Sequence, residues 1–352
     1  VNAYATCEQQ LLGESDYFET LMRDEPESYL ELALAYLHNG FPETAVKLLR
    51  QIDARKAYPT VKMWLGYLTG KAGDKAAEKE YFTAALAIPT DRCNPFRLET
   101  VAVLERAKEL CPQSYKPYYY MGNLYYNKQP DRAMAEWEQC IAKEPSFAMA
   151  WRNLGWAHWL HTKNYDQAVK YYRKAIELAP EEALFLEEID QVYEAKGEDV
   201  QVRYDLLKSH HDVCTKRYSP LAGEVSAGIF VGDYDYVLKL LKECYFPTRE
   251  GVANFHDVYV GEEKFAAGQR KEALELFESA FDYPENHQVF LVDQRTPRDA
   301  QIYWFIGSAY ERTGNRSKAM LNYKKAAAVN VKKTDYRYWQ GLALEKLGKK
   351  AE

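Results

Sequence analysis

The chain has 352 residues, of which 47% are hydrophobic and 28% are charged, so it has ample apolar material for a buried core. Its 18 glycines and 14 prolines are too few for an all-β protein with frequent turns. The formal net charge of −6, without any long basic cluster, argues against a nucleic-acid-binding surface. No apolar run approaches the ~18 residues that a membrane-spanning helix needs. The composition therefore favours a helical protein that has no membrane-spanning helix.

The six cysteines are spread along the chain, with no CxxC motif and no paired Cys/His spacing. We therefore predict neither a metal site nor a cofactor. Cys140 and Cys244 fall at small-residue core positions, where cysteine acts as a compact hydrophobic side chain. This usage favours the reducing cytoplasm and leaves the periplasm as the alternative compartment.

In chain order, residues 1–25 are predicted to form a linker or lead-in, and residues 26–352 an array of repeated helix pairs. Equivalent first-helix positions are spaced by about 34 residues, with 33 between Gly122 and Gly155. The three clearest copies share three large residues and a glycine at fixed spacing. These copies are Tyr118-x-x-Met121-Gly122-x-x-Tyr125, Trp151-x-x-Leu154-Gly155-x-x-His158 and Tyr303-x-x-Ile306-Gly307-x-x-Tyr310.

The second helix of each copy carries a small residue, an aromatic residue four positions later and another small residue three positions beyond that. The three sets are Ala133-Trp137-Cys140, Ala168-Tyr172-Ala175 and Ala319-Tyr323-Ala326. A glycine in the first helix lets the second helix approach closely, and the aromatic side chain fills the remaining gap. This pattern resembles the tetratricopeptide repeat (TPR) superfamily. The resemblance implies an all-α fold, namely a right-handed superhelical solenoid of about nine helix hairpins.

Two interruptions break the repeat. The first contains an irregular helix near 96–111, and the second contains a long loop near 284–299. Loops of this length are often functional, although we expect this one to cover a flank of the array. The last repeat is predicted to be truncated, because the sequence stops at Glu352 just before its second helix. We therefore expect a fragment of a longer chain.

The order of irregular stretches also resembles one group of proteins. These are large bacterial proteins, not characterised as enzymes, that join an N-terminal β-rich, carbohydrate-enzyme-like domain to a C-terminal TPR array. If so, the first residues are the end of a linker from that domain. The resemblance implies no catalytic residue in this half. It rests on YLELALAYLHNGFPETAVKLL at 29–49, CNPFRLETVAVLERA at 93–107, YYYMGNLYYNKQ at 118–129, AWRNLGWAHW at 150–159 and YPEN at 283–286.

A TPR array exposes a stripe of its first helices on a concave face. On this scheme Trp151 is a core residue, whereas Trp156 and Trp159 point toward the groove, with burial against a neighbouring helix as the alternative. The resemblance also implies that Asn123 and Asn153 hold an extended peptide, since an amide both donates and accepts. The predicted peptide or ligand groove comprises Tyr119, Asn123, Tyr126, Arg152, Asn153, Trp156 and Trp159.

The groove lacks the basic residues of a TPR that binds a terminal carboxylate, because Tyr119 replaces the first lysine of that pattern. The next repeat is acidic instead. We therefore predict an acidic wall beside the groove, suited to a ligand with apolar and basic groups. The residues of that wall are Glu187, Glu188, Gln191 and Glu194.

No catalytic constellation is found: His158 takes the repeat's tyrosine position, and His210 and His211 are consecutive and cannot share a helix face. We expect a solvated helix end there. The leading hypothesis is a non-catalytic scaffold that binds a protein or peptide, including the protein's own N-terminal domain. The alternative is an accessory domain of a carbohydrate-active enzyme, with the aromatic groove contacting oligosaccharide. Neither hypothesis involves nucleic acid or membrane insertion, and the oligomeric state is left open.

Overall fold

The computed structural model describes residues 22–91, 93–246, 261–262, 264–281, 297–331 and 334–349. The described residues confirm the all-α prediction. They belong to two compact units, Val1–Leu178 and Ala179–Glu352. Most of the predicted lead-in and of the predicted loop near 284–299 lies outside the described residues.

Five of the nine helices described in the first unit have a proline in their first turn. Proline is favoured in the first turn because it has no N–H to leave unpaired and its φ is already helical. Asp74 caps another helix by accepting a hydrogen bond from the N–H of Ala77 at 3.0 Å. The helices are α1 (Pro26–His38), α2 (Pro42–Asp53), α3 (Pro59–Lys71), α4 (Lys75–Ala87), α5 (Thr100–Leu110), α6 (Lys116–Tyr125), α7 (Pro130–Lys143), α8 (Ala148–Ala157) and α9 (Tyr165–Leu178).

The second unit is built in the same way. Gly197 and Gly232 end two of its helices in the left-handed conformation, with φ of 74° and 86°. Its helices are α10 (Ala183–Lys196), α11 (Val200–Ser209), α12 (His211–Cys214), α13 (Tyr218–Val231), α14 (Tyr234–Glu243), α15 (Arg270–Ser279), α16 (Asp299–Arg312), α17 (Arg316–Ala328) and α18 (Arg337–Lys346).

The consensus glycines provide the close approach that the repeat pattern predicts. A Cβ added at Gly122 would lie 2.3 Å from Nε1 of Trp137, and one at Gly155 would lie 2.8 Å from the ring of Tyr172. Gly341 differs, since a Cβ there would meet nothing within 4 Å. The same contact with an aromatic ring of the following helix occurs at Gly66, Gly261 and Gly307.

Residues 88–91 and 93–99, together with α5, lie between the helix pair α3 and α4 and the helix pair α6 and α7. Lys116 Nζ, at the start of α6, donates to the carbonyl of Ile88 at 2.6 Å. Cys93 is buried against Thr60, in the first turn of α3. Arg97 pairs with Glu27, in the first turn of α1. The segment therefore packs across the beginnings of α1, α3 and α6, each of which is the first helix of its pair.

The two cysteines at predicted core positions differ. Cys140 is completely buried, as predicted, whereas Cys244 is only partly buried because it follows the last residue of α14. Burial raises the pKa of the Cys140 thiol to about 12. At neutral pH it is therefore a protonated, unreactive packing group.

Candidate functional site

The seven predicted groove residues lie together in the first unit. Helix α6 and the residue after it supply three, α8 supplies three, and the turn after α8 supplies the last. Two are buried and five are partly buried, so the set is a surface with a packed base. We call it the aromatic–amide face: Tyr119, Asn123, Tyr126, Arg152, Asn153, Trp156 and Trp159.

Two asparagine amides join the neighbouring helices. Asn153 Nδ2 donates to Asn123 Oδ1 at 3.0 Å, and the indole N–H of Trp137 donates to the same oxygen at 3.1 Å. Arg152 donates to Asn153 Oδ1 at 3.1 Å. The amides are therefore held in fixed orientations by each other, by the core tryptophan of α7 and by the arginine.

Tyr119 lies near the Asn123 amide, and Tyr126 lies near the indoles of Trp156 and Trp137. Burial raises the pKa of Tyr119, against a smaller opposing effect of the nearby Asn123 amide. Burial likewise raises the pKa of Tyr126, opposed by the indole N–H of Trp156. Both phenols therefore stay protonated at neutral pH and keep an O–H that can donate.

The two tryptophans form a corner instead of a flat platform. Their ring centroids are 5.4 Å apart and the planes meet at 85°. The guanidinium of Arg152 lies over the Trp156 ring, 4.8 Å from its centroid. One face of that ring is therefore already covered by a cation–π contact.

A π-helical turn, His158–Thr162, carries Trp159. Ala168 follows Gly155 by 13 positions, whereas Ala319 follows Gly307 by 12. A π turn closes over one more residue than an α turn and so absorbs this insertion. Lys163 ends the turn with φ of 57°, a left-handed conformation that is uncommon outside glycine.

Deletion of Leu160, which is exposed, is expected to give this copy the spacing of the copy at Gly307 and to convert the π turn into an α turn. The Trp156–Trp159 contact should then be lost, because Trp159 takes a different position around the helix. The measurement is the far-UV circular dichroism couplet that two coupled indoles produce. A couplet unchanged in a folded deletion variant would contradict this role of the insertion.

The prediction that Trp151 is a core residue is wrong. It is only partly buried, because it lies near the start of α8. The centroid of its ring is 5.7 Å from that of Tyr171, and its indole N–H donates to the carbonyl of Pro145 at 2.9 Å. His158 fills space as predicted, stacking on Tyr171 with 5.2 Å between centroids. Burial lowers the pKa of His158.

The predicted acidic wall is not a continuous charged surface. Glu188 is buried, Glu187 pairs with Arg217, and Glu194 lies 3.7 Å from Arg203. These contacts form within the second unit because basic side chains of α11 and the start of α13 reach α10. The expectation of a basic ligand therefore loses its support.

The aromatic residues of the later repeats divide between core and surface. Phe265 and Phe305 are buried, whereas Trp304 is partly buried and lies 5.1 Å from Trp339. Phe255 and Tyr259 lie outside the described residues.

The structure also shows polar contacts that the sequence analysis missed. His211 Nδ1 lies 3.0 Å from the fully buried Glu224, which also accepts from Tyr236 at 2.7 Å, so His211 is not a solvated helix end. In the first unit, the Trp137 indole orients Asn123. Gly122, which lies opposite Trp137, indicated that the indole packs between the two helices. No spacing rule indicated the hydrogen bond from that indole to Asn123.

In the described part of the chain, no three His, Cys, Asp or Glu side chains are grouped to hold a metal ion. The described helices also include none with the length and apolar character needed to cross a bilayer.

Comparison with solved structures gives similarity to several helical-repeat proteins. YrrB, described as a TPR protein with an unusual peptide-binding site, is 17% identical and the match covers 70% of this chain and 97% of that one, with a TM-score of 0.38. MamA from Desulfovibrio magneticus RS-1 is 19% identical over 53% of this chain and 94% of that one, with a TM-score of 0.32. The Cut9–Hcn1 hetero-tetramer of the APC/C is 13% identical over 91% of this chain and 64% of that one, with a TM-score of 0.34.

Comparison with protein-family models gives two matches, both described as tetratricopeptide repeat. One covers residues 123–183, which include Asn123 and α8, and the other covers residues 300–330. Both stretches contain motifs from which the repeat was predicted. The chain therefore contains tetratricopeptide repeats at residues 123–183 and 300–330.

Proposed function

We propose that the chain is a non-catalytic scaffold that binds an extended peptide segment of a partner protein on the aromatic–amide face. The observation that supports this most directly is the convergence of seven side chains from two neighbouring helices into one connected set. Tyr and Trp are favoured interface anchors because they bury a large area with few rotatable bonds. A domain of the same protein that carried such a segment would be a partner of this kind.

The packing of the face supports a role in binding as well as in stability. Trp156 and Trp159 are only partly buried, whereas many other large apolar side chains of the first unit lie in its buried core. A contiguous partly exposed aromatic surface is uncommon unless it is a contact site. The Asn123–Asn153 hydrogen bond fixes the surface in advance, which lowers the entropy cost of binding.

The carbohydrate alternative gains no support from the ring geometry. A sugar ring stacks on an open, flat aromatic face, whereas Trp156 has Arg152 over one face and Trp159 perpendicular to it. We therefore expect neutral oligosaccharides to leave the tryptophan fluorescence unchanged at millimolar concentration. Saturable quenching that disappears in Trp159→Ala would favour the carbohydrate hypothesis instead.

The proposal is tested by crosslinking and capture from native lysate with the parent chain and an Asn153→Ala/Trp156→Ala/Trp159→Ala variant. Aromatic anchors at interfaces are each worth about 2 kcal/mol or more, so capture of a specific partner should fall at least about thirtyfold. The matched control is Phe230→Ala/Tyr338→Ala, which removes two aromatic side chains that are 76% and 63% exposed elsewhere.

Circular dichroism and thermal melts establish that both variants are folded. Equal capture by the parent and the face variant would overturn the proposal. Equal loss in the face and control variants would also overturn it, because the effect would then not belong to this surface.

A further inference from the structure

The hydrogen-bonding capacity of the aromatic–amide face is unevenly divided between donors and acceptors. Asn123 Oδ1 accepts from both Trp137 and Asn153, which engages its two lone pairs. Asn153 Oδ1 accepts from Arg152. The oxygens of both amides are therefore used within the protein.

The groups that remain for a ligand are mainly donors. Each amide has two N–H bonds: Asn153 directs one of its two to Asn123, and Asn123 directs one to the Tyr119 oxygen, which leaves one on each amide. Tyrosine is protonated at neutral pH, and burial raises the pKa of Tyr119 and Tyr126 further; Tyr119 lies near the Asn123 amide and Tyr126 near the indole N–H of Trp156. Tyr119 is buried, whereas Tyr126 is only partly buried, so the Tyr126 O–H is the phenol donor that a ligand can reach.

A ligand that suits such a surface offers acceptors and brings few donors of its own. An ordinary peptide backbone carries one N–H for each C=O, and an N–H buried without an acceptor costs about 1–3 kcal/mol. A proline residue has the carbonyl and lacks the N–H. A run of prolines therefore presents acceptors alone.

The ring geometry suits the same ligand. Trp156 and Trp159 meet at 85° and form a corner, with Tyr126 on the Trp156 side. A pyrrolidine ring has apolar faces and edges that fit between perpendicular aromatic rings better than on one flat face. Proline-rich segments are already extended in the polyproline II conformation and dock in aromatic grooves with little loss of entropy.

Building on the proposed function, we propose that the aromatic–amide face binds a proline-rich segment of a partner protein in the polyproline II conformation. Backbone carbonyls of the segment accept from Asn123 and Tyr126, and a proline ring lies in the corner between the two tryptophans.

The test is calorimetric titration of the full chain with an acetylated, amidated oligoproline peptide. The comparison peptide has the same length, with alternate prolines replaced by alanine, which restores N–H groups and flexibility. We expect the alanine-containing peptide to bind at least about tenfold more weakly, equivalent to about 1.4 kcal/mol. Trp156→Ala/Trp159→Ala should abolish binding of oligoproline.

Asn123→Asp is the sharpest variant, because it keeps the oxygen that accepts from Trp137 and Asn153 and replaces only the donating N–H₂ with an acceptor. It should lose affinity for oligoproline while remaining folded. Tyr126→Phe should lose affinity in the same way, since it keeps the ring and removes the O–H. Tyr338→Phe, at an exposed tyrosine of α18, is the control and should bind as the parent does.

Equal affinity for the two peptides would overturn the proline inference and leave the proposed peptide-binding function standing. Absence of oligoproline binding in a chain that still captures a partner through the face would do the same. Oligoproline binding unaffected by Asn123→Asp and by the double tryptophan variant would overturn the assignment of the ligand to this face.

Discussion

Replacing Glu78 with alanine is expected to lower the free energy of unfolding by about 3 kcal/mol. The Glu78 carboxylate accepts two hydrogen bonds from Arg106, at 2.8 and 2.9 Å, and its side chain is 3% exposed. Removing one partner of a buried ion pair costs about 3–5 kcal/mol. The lower end applies because Arg106 keeps 30% of its side chain exposed and regains some hydration.

The pair has this effect because it joins α4 to α5, the irregular helix between the regular hairpins. Gly70 leaves the space, since a Cβ there would lie 2.2 Å from the Glu78 carboxyl carbon. Lys75 adds a third charge, 3.3 Å from Glu78 Oε2. Loss of the carboxylate is therefore expected to loosen α5 first, and hydrogen exchange would detect this as faster exchange in Thr100–Leu110.

The same pair predicts a dependence of stability on pH. Hydrogen bonds from Arg106, and less so from Lys75, hold the pKa of Glu78 below its ordinary value despite the burial that raises it. A carboxyl with a lowered folded-state pKa stabilises the fold above its unfolded-state pKa, and this contribution is lost as the pH falls through the folded-state pKa. The difference in stability between parent and Glu78→Gln should thus be largest near neutral pH and shrink in acid.

Chemical denaturation at several pH values measures both effects. The control is Glu177→Ala, which removes a pair with Lys174 at 2.7 Å whose side chains are 68% and 35% exposed. Exposed pairs contribute at most about 1 kcal/mol. A loss in Glu78→Ala no larger than in Glu177→Ala, or a pH-independent difference from Glu78→Gln, would show that the ion pair does not stabilise the unit.

Replacing Gly122 with alanine is expected to destabilise the chain by about 1–3 kcal/mol, the cost of overpacking a core. The new Cβ would lie 2.3 Å from Nε1 and 2.5 Å from Cδ1 of Trp137. That indole is rigid and only 3% exposed, so backbone or ring must shift. The gain in helix propensity, about 1 kcal/mol, offsets only part of this cost.

The matched control is Gly341→Ala, at the equivalent position of α18, where a Cβ meets nothing within 4 Å. This change should raise stability by about 0.5–1 kcal/mol, because only the propensity effect remains. Thermal or urea denaturation distinguishes the two variants by sign. Stabilisation by Gly122→Ala would mean that helices α6 and α7 are farther apart than the structure places them.

The Gly122 substitution should also affect binding. Displacement of Trp137 breaks its hydrogen bond to Asn123 and disturbs its ring contact with Tyr126, at 5.4 Å. Partner capture should therefore weaken in Gly122→Ala under conditions where the variant is folded. Undiminished capture would show that the face does not depend on this support.

Much of the fold follows from short-range regularities of the sequence. The glycine near the middle of each first helix and the aromatic residue of the second helix predicted contacts such as Gly155 with Tyr172. Prolines occupy the first turns of several helices, including α7. Because each of these depends on a few residues within one hairpin, the local pattern was sufficient.

Predictions about individual side chains were less complete. The spacing identified the first helices and the face that carries Asn123 and Asn153, which the structure brings into contact. It did not indicate that their oxygens are engaged, because Trp137 and Asn153 reach Asn123 from other helices and no repeat position predicts the contact of Arg152 with the adjacent Asn153. Trp151 was assigned to the core by its repeat position, but it lies near the start of α8 and is only partly buried beside Tyr171.

The sequence by itself determined the helix pairs, their order and the residues along which they pack, because an amphipathic helix and a repeated spacing of small and large residues are local properties. Only the tertiary structure decided what the face offers a ligand. Side-chain hydrogen bonds between helices depend on distances of a few tenths of an ångström. The extra residue near Trp159 was present in the sequence, but its absorption in a π turn depended on α8 and α9 being held in place by their own packing.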